Sequence, residues 1–250
     1  ALSMRRMLKT NNLVRKMHAC ETMGATTVIC TDKTGTLTQN QMRIHETRFF
    51  GLETQQLTEG NEMSALLAEG IAVNSTAFLA AQPDGTHKVM GNPTEGALLK
   101  WITAQGHDYH DLRENTEVIS QKPFSTQTKQ MDTTISHADK QLTLIKGAPE
   151  ILLSQCTKIA NDTPREEVEA QISAYQNRAM RTLGFAIQSG EGELLFLGVV
   201  AIADPIREDV AQAIETCTRY AKVRVIIVTG DNRDTAAEIG RQIGLLDTEG

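Results

Sequence analysis

Residues 28–40, VICTDKTGTLTQN, constrain the fold of this chain more than any other segment. An apolar run predicts a strand, and Asp32 stands at its end, followed by Lys33, Thr34 and Gly35. A carboxylate in this position can accept a phosphoryl group covalently, which splits a slow hydrolysis into two easier steps. Lys33 and the N–H groups around Gly35 can neutralise the charge that develops on the phosphoryl oxygens. The segment therefore predicts a phosphoryl-transfer loop; the alternative is a glycine turn in which Asp32 only accepts a local hydrogen bond.

A second segment of the same kind lies near the other end of the chain. Residues 223–228 form a β-branched run typical of a buried strand, preceded by an amphipathic helix predicted at 207–220 and followed by a helix predicted at 234–244. The strand leads into a polar loop made of Thr229, Gly230, Asp231 and Asn232. Helix, strand, loop and helix in this order predict a doubly wound parallel sheet, in which ligands bind at the carboxyl ends of the strands. We therefore expect Asp32 and Asp231 at the same edge of one α/β sheet.

The residues between these segments have a different pattern. Helices are predicted at 62–73, 93–104 and 164–180, and strands at 117–119, 131–136, 141–146, 182–188 and 194–200. The tight turn at 189–192 joins the last two strands as a hairpin. An antiparallel sheet with flanking helices is therefore predicted for residues 45–202, and this α+β domain interrupts an α/β domain formed by residues 1–44 and 203–250.

Composition narrows the classes of partner. The formal net charge of −6 argues against nucleic acid as the main partner. The longest nearly continuous apolar run, residues 194–203, is far shorter than the roughly 20 residues of a spanning helix, so we expect no segment of this chain to cross a membrane. The first residues of the sequence lack the apolar central region of a signal peptide. The four cysteines lack the spacing of a metal or disulfide motif, which predicts reduced thiols. We expect a soluble monomer.

Residues 32–38, DKTGTLT, resemble the phosphorylation motif of P-type ATPases, the cation pumps. Four further segments resemble the nucleotide-binding motifs of the calcium-pump type, in the same order and spacing: GNPTEGALL at 91–99, KPFS at 122–125, KGAPE at 146–150 and MRTL at 180–183. The resemblance covers most of the chain. It implies a haloacid-dehalogenase-like phosphorylation domain, here truncated, that is interrupted by an α+β nucleotide-binding domain.

The resemblance also implies a set of nucleotide-binding residues, and their chemistry supports an ATP site. Phe124 offers an aromatic face on which adenine can stack, and Glu95 can accept a hydrogen bond from the adenine amino group. Arg181 can donate two hydrogen bonds to a phosphate. Each residue alone has a structural alternative, such as core packing for the phenyl ring or helix-dipole complementation for the carboxylate. Thr126 stands where the resemblance expects an arginine, which shifts phosphate binding toward Lys129. The full set is Glu95, Phe124, Lys129, Lys146, Gly147, Arg181, Asp204 and Arg207.

Residues 204–207, DPIR, resemble the hinge at which the family's chain re-enters the phosphorylation domain. Pro205 fixes its own φ and restricts Asp204 to extended geometry, and we expect the partner strand near residues 41–46. The loop at 229–232 resembles the family's TGDN loop. The resemblance assigns Thr229 and Gly230 to the phosphoryl group and Asp231 to the nucleotide or its metal.

The resemblance implies that Mg²⁺ is held by the Asp32 carboxylate and the Thr34 backbone carbonyl. Haloacid-dehalogenase-like hydrolases usually carry an aspartate at the position of Thr34, as a general acid–base. Without that carboxylate to activate water, an aspartyl phosphate should persist long enough for a conformational change, as a pump needs and a phosphatase does not. The family's next acidic motif does not occur before residue 250, so we expect an incomplete phosphorylation domain.

The sequence supports three functional hypotheses. The first is the catalytic part of an ATP-driven cation pump at the cytoplasmic face of a membrane, with membrane and actuator segments of the same parent chain as partners. Calcium is the expected ion, and sodium–potassium, proton or magnesium pumps are alternatives. The second is a soluble phosphatase. The third is a module that binds nucleotide without forming a phosphoenzyme, which we expect of the isolated chain.

Overall fold

The computed structural model describes residues 2–9, 13, 17–138, 140–231 and 233–246, so Asn232 of the predicted loop lies outside the described residues. The chain divides into two compact units, Ala1–Gln39 with Ile206–Gly250, and Asn40–Pro205. The helices are α1 (Leu2–Lys9), α2 (Met17–Gly24), α3 (Glu62–Val73), α4 (Pro93–Ala104), α5 (Tyr109–Asn115), α6 (Pro149–Gln155), α7 (Arg165–Asn177), α8 (Val210–Glu215) and α9 (Arg233–Gln242). The strands are β1 (Val28–Asp32), β2 (Arg43–Phe49), β3 (Phe78–Ala81), β4 (His87–Met90), β5 (Glu117–Ser125), β6 (Gln130–His137), β7 (Lys140–Gly147), β8 (Lys158–Ile159), β9 (Arg181–Ser189), β10 (Leu194–Ala203) and β11 (Arg224–Val228).

The unit Asn40–Pro205 contains a seven-stranded sheet in the order β2-β10-β9-β7-β6-β5, with β8 attached to β10. Neighbours along this order are antiparallel, which confirms the predicted antiparallel sheet, while the short β8 runs parallel to β10. The predicted turn at 189–192 joins β9 and β10 as a hairpin. β3 and β4 form a separate antiparallel hairpin that was not predicted from the sequence.

The helices α3 and α4 begin and end where the sequence indicates. Asn61 accepts a hydrogen bond from Ser64 N at 2.9 Å and Asn92 accepts one from Thr94 N at 2.9 Å, so each helix starts at a side-chain cap. Gly106 follows α4 with a φ of +89°, a conformation that favours glycine after a helix. Leu98, Leu99 and Ile102 of α4 are fully buried in the core of this unit, where apolar burial stabilises the fold.

The two ends of this unit meet in the sheet. Arg43 of β2 pairs with Ala203 of β10, and Gln41 N donates a hydrogen bond to Asp204 Oδ1 at 2.9 Å. The expected strand partner near residues 41–46 is therefore confirmed. The chain enters and leaves the unit side by side.

In the other unit, β1 and β11 form a parallel pair whose register runs from Val28↔Arg224 to Asp32↔Val228. The run at 223–228 was predicted to be of buried type, but in β11 only Val225 is buried and Val228 is 57% exposed. Val225 belongs to a small core whose buried members are Leu37, Val210, Ile214, Val225 and Ile243.

The helix predicted at 207–220 is shorter in the structure. Arg207 N donates to Leu37 O at 3.0 Å, and Ile206 forms an antiparallel β-bridge with Thr38, so the chain is still paired with another segment at these residues. The regular helix α8 begins at Val210, and a π-helical turn, Thr216–Tyr220, follows it. In the part of the chain that the structure describes, no helix is both long enough and apolar enough to span a membrane.

Candidate functional site

A cavity of about 460 Å³ in the unit Asn40–Pro205 brings together most of the predicted nucleotide-binding residues. Phe124, at the end of β5, lines it with a side chain that is 60% exposed, so its ring is accessible to a ligand. Concave sites of this size, with apolar surface and a few polar groups, are typical of small-molecule binding. The predicted residues on its wall are Glu95, Phe124, Lys129, Lys146, Gly147 and Arg181, and Asn92, Thr94, Thr126, Ala148, Thr182 and Leu183 complete it.

Glu95 and Lys146 form a buried ion pair in the wall of this cavity. Lys146 Nζ lies 2.7 Å from Glu95 Oε1, and both side chains are less than a tenth exposed. Lys146 Nζ also donates to the carbonyl of Asn74. The other carboxylate oxygen of Glu95 accepts hydrogen bonds from Thr76 N at 2.8 Å and from Ala77 N at 3.1 Å. The carboxylate is thus already surrounded by donors of the protein, and its predicted contact with an adenine amino group stays a prediction.

The surroundings of this pair shift both pKa values downward. Burial raises the pKa of Glu95, but the charge of Lys146 and the hydrogen bonds from Lys146 and Thr76 together bring it below its ordinary value. Burial lowers the pKa of Lys146, and the charge of Glu95 offsets only part of that effect. A buried charge is tolerated when it is paired and hydrogen-bonded, and this pair meets both conditions.

Gly147 permits the close contact that closes one side of the cavity. A Cβ at this position would lie 2.5 Å from Lys129 O, which real side chains do not allow. Ala148 N donates to the same carbonyl at 3.0 Å, and Lys129 has a φ of +53°. Strand β7 therefore ends against the turn that presents Lys129 at the cavity.

Arg181, at the start of β9, is exposed and donates to Thr94 Oγ1 at 2.8 Å across the cavity wall. Asp204 and Arg207, which were predicted with this set, do not line the cavity. Asp204 accepts the hydrogen bond from Gln41, and Arg207, in the other unit, donates to Asp209 at 3.4 Å.

Several residues of this wall were not predicted from the sequence. Thr94 of the wall is 87 residues from its partner Arg181, and Asn74, which binds Lys146 without lining the cavity, is 72 residues from it. Pairs so far apart in the chain cannot be predicted from a local sequence pattern. The order of the family-like motifs was the one signal that could have indicated them.

The second group of predicted residues lies in the other unit, at the carboxyl ends of β1 and β11. Asp32 is the last residue of β1, is exposed, and accepts a hydrogen bond from Lys33 N at 2.8 Å. Lys33 Nζ forms an ion pair with the carboxylate of Asp231. Thr229 Oγ1 accepts from Asp231 N at 3.2 Å, beside Gly230. The structure therefore brings the two predicted loops together through Lys33.

The backbone of the loop after Asp32 turns sharply at Gly35. Gly35 has a φ of +76°, a conformation that glycine adopts without strain, and Thr34 has extended angles of −74° and 121°. Thr38 is 1% exposed, and its N–H donates to Lys33 O at 3.1 Å. The loop is thus anchored at its far end while Asp32 and Thr34 remain exposed.

The donor set at this loop suits a magnesium ion in its chemistry. The Asp32 carboxylate and the Thr34 carbonyl are hard oxygen donors, the type that Mg²⁺ prefers, and Mg²⁺ commonly completes its shell with water and phosphate oxygens. Among the described residues, no three His, Cys, Asp or Glu side chains are grouped so as to hold a metal on their own. An ion here would therefore depend on few protein ligands.

Comparison with known proteins gives a consistent result. A family model described as "P-type ATPase, cytoplasmic domain N" matches residues 62–209. The calcium-transporting ATPase PAT1 of Dictyostelium discoideum is 38% identical over 100% of this chain, which covers 24% of that protein. The plasma membrane-type calcium-transporting ATPase 9 of Arabidopsis thaliana is 32% identical over 100% of the chain and 26% of its own length. The calcium-transporting ATPase 1 of Lactococcus lactis subsp. lactis is 32% identical over 96% of the chain, which covers 29% of that protein. The chain thus spans about a quarter of the length of these relatives.

Proposed function

This chain belongs to the P-type ATPase family, and from that premise we propose that it is the nucleotide-binding and phosphorylation part of an ATP-driven cation pump. Calcium is the proposed ion, because the relatives named above are calcium-transporting ATPases. We propose that the chain lies at the cytoplasmic face of a membrane and that the unit containing β1 and β11 belongs to a haloacid-dehalogenase-like domain.

The observation that carries the proposal is the cavity that gathers Phe124, Lys129 and Arg181 around the Glu95–Lys146 pair. The exposed ring of Phe124 offers a stacking surface for adenine. Lys129 and Arg181 are exposed cations that can approach the phosphates of the same nucleotide. We expect weak ATP binding by the isolated chain, with a dissociation constant of roughly 0.1–10 mM.

The binding test compares two exposed phenylalanines of the same unit. We expect ATP titration to move the amide resonances of the cavity residues, and Phe124→Ala to weaken binding about tenfold, since base stacking on an aromatic ring is worth about 1–3 kcal/mol. Phe78→Ala is the matched control, because Phe78 is 48% exposed and does not line the cavity. Equal ATP affinity in Phe124→Ala and the wild type would refute the stacking role.

For the full pump we propose that Asp32 is the phosphoryl acceptor. Its carboxylate oxygen attacks the γ-phosphorus, the bond from that phosphorus to the β–γ bridging oxygen breaks, and ADP leaves with that oxygen. Lys33 supplies positive charge next to Asp32 and is oriented by Asp231. The Thr229 hydroxyl and the Gly230 N–H are the proposed donors to the transferred group.

Two features of the loop influence the fate of the transferred phosphoryl group. The Asp32 carboxylate and the Thr34 carbonyl would hold Mg²⁺, which when bound neutralises charge on the phosphate oxygens. Thr34 has no carboxylate with which to activate water. The absence of a general base at this position supports a pump with a persistent aspartyl phosphate rather than a phosphatase.

The nucleophile is tested in the full-length parent. Asp32→Asn should abolish the acid-stable, hydroxylamine-sensitive phosphoenzyme, because an amide oxygen is a poor nucleophile. ATP binding should be retained, because the asparagine side chain has nearly the same shape as the aspartate side chain. Asp111→Asn, an exposed aspartate of α5, is the control and should label normally. Labelled phosphoenzyme in Asp32→Asn would exclude Asp32 as the acceptor.

A further inference from the structure

We propose that Arg113 is a positioning residue of the nucleotide cavity, which it does not line: it fixes the backbone segment 72–77, which in turn fixes Glu95 and Lys146. The inference rests on the proposed function, because it concerns how the ATP cavity keeps its shape and charge. Three sets of contacts around this short segment, which consists of the last two residues of α3 and the loop that leads to β3, support it.

The first set joins Arg113 to the carbonyls of the segment. From α5, Arg113 Nε donates to Ala72 O at 2.7 Å, and Nη2 donates to Ser75 O at 3.2 Å and to Ala77 O at 2.9 Å. The guanidinium also lies over the ring of Tyr109, 4.9 Å from its centre. A planar guanidinium holds its donors on separate nitrogens in a fixed plane, so Nε and Nη2 bind carbonyls that lie apart, whereas the three donors of an ammonium all leave one nitrogen.

The second set joins the N–H groups of the same segment to Glu95. Thr76 N and Ala77 N donate to one carboxylate oxygen, as do the hydroxyls of Thr76 at 2.9 Å and Ser75 at 3.3 Å. The peptide group between Ser75 and Thr76 has its carbonyl on the cation and its N–H on the anion. Hydrogen bonds connected in this way polarise and strengthen one another. Arg113 therefore strengthens the hold of the segment on Glu95.

The third set reaches the cavity. Glu95 binds Lys146, and Lys146 also donates to Asn74 O of the same segment. The segment thus contacts all three charged side chains, of which only Glu95 and Lys146 line the cavity. A shift of the segment moves both the carboxylate and the ammonium that face the ligand.

Charge reinforces this connection. Burial lowers the pKa of Lys146 first of all, Glu95 raises it, and the positive charge of Arg113 lowers it further. Burial lowers the pKa of Arg113, and Tyr109 and the charge of Glu95 offset part of that effect. The three residues form one electrostatic unit of two cations and one anion, and its third member lies outside the cavity.

Arg165 provides a matched control for a purely structural arginine. It is half-buried like Arg113 and donates to two backbone carbonyls, Leu153 O and Cys156 O, both at 2.8 Å. Neither Arg165 nor its partners line the cavity. Loss of either arginine removes carbonyl hydrogen bonds, but only the loss of Arg113 disturbs the segment that binds Glu95.

The test measures ATP affinity and amide chemical shifts in the whole chain carrying Arg113→Gln, Arg113→Lys or Arg165→Gln. We expect Arg113→Gln to weaken ATP binding about tenfold, as for the loss of a charge-assisted hydrogen bond, and Arg165→Gln to leave it unchanged. The amide protons of Thr76 and Ala77, shifted downfield by the carboxylate, should move upfield in Arg113→Gln and not in Arg165→Gln. Arg113→Lys keeps the positive charge but fewer of the hydrogen bonds, so its ATP affinity should lie between those of the wild type and Arg113→Gln. If Arg113→Gln does not fold, Arg113→Lys takes its place in the comparison.

The outcomes separate this inference from the function on which it rests. If the wild type binds no ATP, the proposed function fails and this inference fails with it. If the wild type binds ATP and the Arg113 variants bind it equally well, or if the Thr76 and Ala77 amides do not move, the positioning role alone is refuted.

Discussion

At the scale of single residues, the Glu95–Lys146 pair shows how two charged side chains can be buried in the wall of the candidate nucleotide cavity. The sequence motifs suggested two separate contacts for a nucleotide. In the structure each side chain is the main partner of the other, and backbone donors and acceptors of residues 74–77 complete their hydrogen bonding. Removal of one partner from a buried pair leaves an uncompensated charge, which costs far more than the pair itself contributes.

The pair should make stability depend on pH through Glu95. Because its pKa is below the ordinary value of 4.5 in the folded state, the unfolded chain binds the proton more readily. The stabilisation by the carboxylate is then complete above about pH 4.5 and is lost as the pH falls through the lower, folded-state pKa. Glu95→Gln should therefore lower the free energy of unfolding at pH 7 by about 3 kcal/mol, and its difference from wild type should shrink in acid.

Urea unfolding of the wild type and the variant between pH 3 and pH 7, about the range in which carboxylates titrate, measures this difference. Glu193→Gln is the control, because Glu193 pairs with Lys158 at 2.8 Å on the surface, where both side chains are more than half exposed. That variant should behave almost as the wild type. A Glu95→Gln deficit that stays constant with pH would show that the lost stability comes from packing and not from the charge.

At the scale of elements, the parts predicted well are those whose ends are determined locally. α3 and α4 occupy the predicted residues because Asn61 and Asn92 cap their starts, and β9 and β10 pair because a short turn joins them. The β3–β4 hairpin was missed because its strands have only four residues each and no regular alternation of apolar residues. The late start of α8 depends on contacts with Leu37 and Thr38, more than 160 residues away, which a local pattern cannot show.

The same distinction holds for the candidate site. The motifs indicated which residues gather at the cavity, because their side-chain chemistry and order are visible in the sequence. They did not indicate that Lys146 is bound to Asn74 and Glu95, or that Arg113 binds the carbonyl of Ala72, since these contacts join α3, the loop after it, α4, α5 and β7. Six of the twelve residues that line the cavity were predicted from the sequence, and the structure supplied the contacts that hold them in place.

The close contact between Gly147, at the end of β7, and the turn from β5 to β6 gives a prediction at this scale. Gly147→Ala places a Cβ 2.5 Å from Lys129 O and 2.8 Å from Gln130 Cβ, so the turn that carries Lys129 must move. We expect a loss of about 1–3 kcal/mol in the free energy of unfolding, typical of overpacking, together with weaker ATP binding. Urea unfolding and ATP titration measure the two effects.

Gly70→Ala is the control for this change. In α3 its Cβ would lie 3.5 Å from Leu144 Cδ2, an ordinary contact, and alanine favours a helix over glycine by about 0.5–1 kcal/mol. This variant should be as stable as the wild type or more stable, with unchanged ATP affinity. Full stability in Gly147→Ala would mean that the turn adjusts without cost.

At the scale of the whole molecule, the two compact units differ in the contacts that stabilise them. The unit Asn40–Pro205 has an extensive core that runs from Phe49 to Ile202 and a seven-stranded sheet. The other unit has a parallel pair of strands and a core with few buried members, and Val28, Ile29 and Val228 of its strands are exposed. Because burial of apolar area is the dominant stabilising contribution, the first unit should be the more stable of the two.

This contrast predicts that residues 40–205 fold and bind ATP when produced alone. All residues that line the cavity lie between 92 and 183, so none is lost. The new ends are already side by side, because Arg43 pairs with Ala203 and Gln41 donates to Asp204, so the cut leaves no strand without its neighbour. ATP affinity should equal that of the whole chain, and thermal unfolding should show a single transition that matches the more stable transition of the whole chain.

A shorter piece, residues 45–202, is the matched control, because it has the boundaries predicted from the sequence and loses both contacts at the ends. It should unfold at a lower temperature than residues 40–205, since each hydrogen bond removed costs about 1 kcal/mol. If residues 40–205 remain unfolded or bind ATP more weakly than the whole chain, the cavity depends on the other unit, and the nucleotide site cannot be assigned to this unit alone.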